Sequence, residues 1–165
     1  MSHETEDSRT TDHPQRIAVI GVGNLLLKDE GVGIHVIKAL QKTPLKDAKG
    51  LTIVDGGTCP DIFYLLPEEI DKLIIVDAVR GGDEPGTIYR FNPKDITCKR
   101  EIITSVHQLG IWESLINIEN AEVNPKEIVI IGVEPKEIEW GLEISSELQK
   151  KVPQVIDLVM KEISR

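Results

Sequence analysis

The apolar residues of this chain fall into short β-branched runs separated by amphipathic stretches, in a nearly regular rhythm. Residues 16–22 (RIAVIGV), 51–54 (LTIV), 72–76 (KLIIV) and 127–133 (EIVIIGV) are short, mainly apolar runs of strand length. Such runs suit parallel strands buried on both faces. Residues 87–91 (TIYRF) alternate instead, which predicts an edge strand, and 101–106 (EIITSV) is strand-like.

Between the runs the period lengthens. Over residues 31–42, Val32, Val36 and Leu40 form one stripe with Ile37 beside it, while His35, Lys38 and Lys42 share the opposite face. That pattern predicts a helix with His35 facing solvent. Residues 61–66 suggest a short helix stopped by Pro67, and 108–117 place Leu109, Trp112, Leu115 and Ile116 at helical spacing. A last helix opens with Ser146 and Gln149 spaced as a capping box and carries Leu148, Val152, Val155, Val159 and Ile163 on one side, with a kink expected at Pro153.

This alternation predicts an α/β fold: a single domain with a twisted, mostly parallel sheet, helices on both faces and one antiparallel edge strand. A length of 165 residues supports one core. Residues 1–15 are polar and read as a disordered tail, leaving 16–165 as the domain. His3 and His13 lie in that tail and read as idle, solvated side chains.

Charge narrows the partners. With 28 acidic against 19 basic residues the formal charge is −9, which opposes binding to nucleic acid or an anionic membrane. Cys59 and Cys98 form no metal-binding pair or disulfide framework, and no stretch reads as a signal peptide or a membrane span, so a cytoplasmic location is expected.

Ligands of open α/β sheets bind where the strands end in the carboxyl direction. Four residues qualify by position: Glu30 after the first run, Asp55 after the second, Asp77 after the third and His107 after residues 101–106. Two carboxylates and an imidazole can hold a divalent ion with positions left open, enough to polarise a carbonyl or activate water. Each residue also has a plainer reading. Glu30 suits a helix start, Asp55 before two glycines a turn, Asp77 a cap, and His107 a core position. Gly23, Gly31, Gly33, Gly56 and Gly57 read equally well as turn and close-packing residues. A dinucleotide loop at residues 21–24 fails because Leu26 stands where its third glycine belongs. There is no G-x-S-x-G elbow around Ser105 or elsewhere, and no H-E-x-x-H helix.

Five segments, in order, resemble the motifs of a known family, the endopeptidases that mature the large subunit of nickel-iron hydrogenases. Residues 21–33 (GVGNLLLKDEGVG) resemble its opening motif, with Glu30 at the acidic ligand position where many members carry aspartate. Residues 54–58 (VDGGT) and 73–78 (LIIVDA) are similar to its second and third motifs. Residues 105–110 (SVHQLG) are similar to its histidine motif, with Val106 where proline is common, and 132–135 (GVEP) with Gly141 and Leu142 to its last.

The resemblance implies a peptidase that removes a C-terminal extension from the hydrogenase large-subunit precursor after nickel insertion. Glu30, Asp77 and His107 would bind the nickel carried by that precursor, Asp55 would assist, and Gly56, Gly57 and Thr58 would lie along the substrate chain. It implies no permanent zinc; a monomer is expected. Two mechanisms stay open, nickel as a recognition tag and nickel as the activator of water. A non-catalytic, nickel-checking chaperone of the same precursor is the competing class, and a nucleotide-binding enzyme the third.

Overall fold

The computed structural model describes residues 14–95, 111, 113, 115 and 123–165. Five strands form one sheet: β1 (Ile17–Val22), β2 (Leu51–Gly57), β3 (Lys72–Ala78), β4 (Ile88–Phe91) and β5 (Glu127–Val133). Their order is β2-β1-β3-β5-β4, parallel except for the antiparallel β4–β5 pair. All of β1 and β3 and nearly all of β5 is buried, whereas the edge strands β2 and β4 are half-exposed. Three of the four apolar runs therefore sit in the centre and the alternating one at an edge, as their patterns predict, whereas residues 51–54 form the other edge, β2, and are only partly buried because no strand pairs beyond them.

Two helices cover one face. α1 (Val32–Leu40) contributes Val32, Val36, Ile37 and Leu40, and α2 (Ser146–Ile163) contributes Leu148, Val155 and Val159, all packed on Val19, Ile74, Val76, Val129 and Ile131. The opposite face, formed by Ala18, Ile20, Leu73, Ile75 and Ile130, is covered by Ile62, Phe63, Leu66, Ile111 and Leu115. Helices thus lie on both faces, since residues 111, 113 and 115 are helical. The rest of the predicted 108–117 helix, the strand-like residues 101–106 and most of the predicted tail lie outside the described residues.

Local departures from the sequence reading have physical causes. The short helix expected over 61–66 is a single 3-10 turn at Ile62–Leu65, with the Asp61 carboxylate accepting from the Phe63 amide at 3.1 Å. The capping box at Ser146 does not form. The N-cap is Ser145, whose hydroxyl is drawn away to Asp29, while the Gln149 amide donates to the Ile144 carbonyl at 2.8 Å. Pro153, where a kink is expected, lies inside the helix, and its ring leaves the carbonyl four residues earlier without its usual donor.

At the amino ends of the strands a buried ionic group ties α2 to the sheet. Lys72, 1% exposed, donates to the Glu162 carbonyl at 2.8 Å and lies 3.3 Å from its carboxylate, which also accepts from Arg90 and Arg165. Glu162 is fully buried. Its carboxyl is held down at about 2, chiefly by the Arg90 hydrogen bond and then by Lys72, against the opposing effect of burial.

Candidate active site at the strand ends

The chain leaves β1 for β2 on one side and reaches β3 on the other, so the strand order reverses between β1 and β3. That reversal opens a crevice at the carboxyl ends of these two strands. Glu30 and Asp77 flank it. Glu30 lies in a 3-10 turn (Lys28–Gly31) after β1 and is 1% exposed; Asp77 is the penultimate residue of β3 and is 4% exposed. The Asp77 Oδ1 accepts from the Ala78 amide at 2.8 Å.

Glycines bring the turn onto the strand ends. A Cβ on Gly33 would lie 2.2 Å from the Val76 carbonyl oxygen and 2.5 Å from that of Val22, so the start of α1 rests on carbonyls towards the carboxyl ends of β3 and β1. Gly23, at φ +139°, lets the loop pass the Glu30 carbonyl, which a Cβ there would meet at 1.9 Å. Only residues without a side chain allow this approach. The close-packing reading of Gly23 and Gly33 accounts for both.

Asp55 stands apart. Strand alternation places it with Leu51 and Ile53 on the α1 face of the sheet, whereas Asp77 follows Leu73 and Ile75 on the opposite face. Asp55 is exposed and accepts from the Gly57 amide at 3.0 Å, a turn contact. Beside it, Gly57 has φ +52° and open space around its missing Cβ, while Gly56 is buried against Ile20 and Val22. His107 lies outside the described residues, and among the described residues no group of three or more His, Cys, Asp or Glu is placed to hold a metal. Ile111 and Leu115, just beyond His107 in sequence, pack on the Asp77 face.

Two buried acids that the residue pattern does not single out organise the surroundings. Asp29, fully buried, accepts from the Lys136, Glu137 and Ser145 amides at 2.8, 2.9 and 2.6 Å and from the Ser145 hydroxyl at 2.8 Å. It anchors the segment after β5 to the turn that carries Glu30. Glu134 accepts from the Gly81 and Gly82 amides at 2.6 and 3.1 Å and from the Tyr89 hydroxyl at 2.6 Å, fixing the loop that follows Asp77. Burial and the Glu134 bond raise the Tyr89 pKa, so the phenol stays protonated as a donor. Their partners are 107–116 and 45–53 residues away in sequence, so no local spacing reveals them. The shared signal is that both acids sit inside glycine-bearing motifs.

His35 is half-buried, contrary to the solvent-facing position expected from the helix stripe. Burial and nearby Lys38 lower its pKa, opposed by the Leu142 backbone, and its Nε2 is buried without a hydrogen-bond partner. The segment zipped onto residues 26–30 covers it, which a helical wheel of α1 alone does not anticipate.

The sequence model of the hydrogenase maturation protease family matches residues 34–162. This chain belongs to the hydrogenase maturation protease family. The hydrogenase 2 maturation protease of Escherichia coli is 31% identical over 147 residues, 88% of each chain. A coenzyme F420 hydrogenase subunit delta of Methanothermobacter thermautotrophicus is 35% identical over 158 residues, 89% of this chain and 94% of that one. The solved hydrogenase maturating endopeptidase HybD of E. coli superposes with a TM-score of 0.75 at 28% identity, over 91% of this chain and 93% of that one. The chain is accordingly a peptidase with that fold. Asp55, Asp77 and His107 fall inside the matched residues, and Glu30 lies four residues before them. Among the described residues no helix is long and apolar enough to cross a membrane.

Proposed function

We propose that this peptidase removes the C-terminal extension of a nickel-iron hydrogenase large-subunit precursor once nickel has been inserted. The observation that carries the reading is the pair of buried carboxylates, Glu30 and Asp77, flanking the β1–β3 crevice in a chain of this family. In this reading nickel belongs to the substrate. Glu30 and Asp77 supply two oxygen ligands and His107 a nitrogen ligand, a set suited to a divalent transition ion. No resident zinc is required.

Docking through the nickel places the precursor chain at the strand ends, so cleavage gains from positioning the scissile bond. Residues 56–58 line the exit from β2, where the open space at Gly57 lets a substrate backbone approach closely. Asp55 has an assisting role there as an exposed carboxylate, on the other face from Asp77. The enzyme works as a monomer in the cytoplasm, without nucleic acid or membrane partners.

Glu30→Gln, Asp77→Asn and His107→Ala test the assignment. Each variant is expected to keep its circular dichroism spectrum and lose truncation of the nickel-loaded precursor, read by mass spectrometry. Wild-type turnover by any one of them removes that residue from the ligand set.

A further inference from the structure

Among the described residues, three of the six exposed large apolar side chains converge on one place: Leu26, Trp140 and Leu142, at 50, 79 and 66% exposure. Leu27 and Gly141 form a parallel bridge, and the Gly141 amide donates to the Leu26 carbonyl at 3.0 Å. Leu26 and Trp140 therefore lie side by side before the bridge, and Lys28 and Leu142 follow it. The platform is firmly held. Asp29 fastens both ends of residues 136–145, and Lys28 pairs with Glu137 and Glu139 at 2.7 and 2.5 Å.

An exposed tryptophan on a fixed backbone loses little entropy when covered, and tryptophan is enriched among the residues that dominate protein interfaces. The rim decides which partner fits. Glu137, Glu139, Glu143 and Glu147 lie in the stretch 136–147 that carries Trp140 and Leu142, against two lysines, Lys28 and Lys136, both already engaged by these same carboxylates. The surplus is negative, on a chain whose formal charge is −9. Acidic rim and indole face together select a partner with aliphatic side chains flanked by Lys or Arg.

We infer that Leu26, Trp140 and Leu142 form a docking surface for a basic, aliphatic surface of the hydrogenase large-subunit precursor. This rests on the proposed function and deepens it. Lys28, at the end of the patch, is two residues from Glu30, so a precursor seated there is held beside the β1–β3 crevice.

The test uses the full chain and nickel-loaded precursor, with steady-state cleavage and direct binding measured in parallel. Trp140→Ala is expected to raise KM and Kd by about 30-fold, the equivalent of a hot spot of about 2 kcal/mol, with kcat within about two-fold of wild type. Glu143→Lys should weaken binding most at low salt. Tyr64→Ala, at a side chain 87% exposed elsewhere, should change neither quantity. Unchanged KM and Kd in Trp140→Ala overturn the docking surface. A concentration-dependent dimer of the chain that Trp140→Ala dissolves, with precursor Kd unaltered, assigns the patch to self-association and overturns it too. Wild-type chain that binds precursor through Trp140 yet leaves it intact overturns the proposed cleavage and keeps the docking surface.

Discussion

Asp29→Asn isolates the contribution of one buried carboxylate to the framework around Glu30. In the native chain Oδ1 accepts from the Ser145 amide, and Oδ2 accepts from the Lys136 and Glu137 amides and the Ser145 hydroxyl. Asparagine matches the shape, but one end becomes a donor. The less costly orientation turns its NH2 towards the Ser145 amide, leaving two donors facing each other and one bond lost. A bond to a charged acceptor contributes about 1.5–3 kcal/mol, and a buried amide left unsatisfied costs about 1–3 kcal/mol. The three surviving bonds also fall from charge-assisted to neutral strength. Allowing for overlap among these effects, the expected loss is about 4 kcal/mol, a large part of the roughly 5–15 kcal/mol typical of whole domains. Urea unfolding at neutral pH measures it as a lower midpoint at an unchanged slope. A loss below about 1 kcal/mol would refute the reasoning, because it would mean that the segment after β5 is not held through Asp29.

Two further perturbations probe the rest of the framework. Gly33→Ala puts a methyl group 2.2 Å from the Val76 carbonyl oxygen, and neither that backbone nor Val22 can yield cheaply. Destabilisation of about 3 kcal/mol is expected by chemical denaturation, with cleavage reduced beyond the loss of folded protein because the Glu30 turn is displaced; a neutral substitution would contradict the interlock. The Glu162 carboxyl, at about 2 against an ordinary 4.5, stabilises the fold fully above pH 4.5, and that contribution is lost as pH falls towards 2. Glu162→Gln leaves buried Lys72 without its buried counter-charge, so it should cost about 3 kcal/mol at pH 7. It should also flatten the acid limb of stability against pH, and parallel wild-type and variant curves would contradict the network.

The central strands were legible because continuous apolar runs and strand burial are one physical fact seen twice. The edge strand at 88–91 was legible because a half-exposed strand alternates. Glu30 and Asp77 could be proposed from sequence because strand ends in an open α/β sheet are where polar residues collect. Their separation from Asp55 could not, because it depends on which face of each strand the last residue takes and on the β2-β1-β3 order. Asp29 and Glu134 escaped notice because a buried acid satisfied by distant backbone amides has no local signature. The failed capping box has the same origin, since Ser145 serves a partner 116 residues away. The half-buried position of His35 is not legible from α1 alone, because the periodicity of one helix carries no information about the segment that folds over it.

The mass of a large-subunit precursor after incubation with this chain, in nickel-loaded and metal-free forms, tests the central claim most directly. Loss of a C-terminal peptide from the nickel-loaded form alone is the predicted result. Equal truncation of the metal-free form would contradict a site built to read nickel, and an intact precursor in both would contradict the proposed cleavage itself.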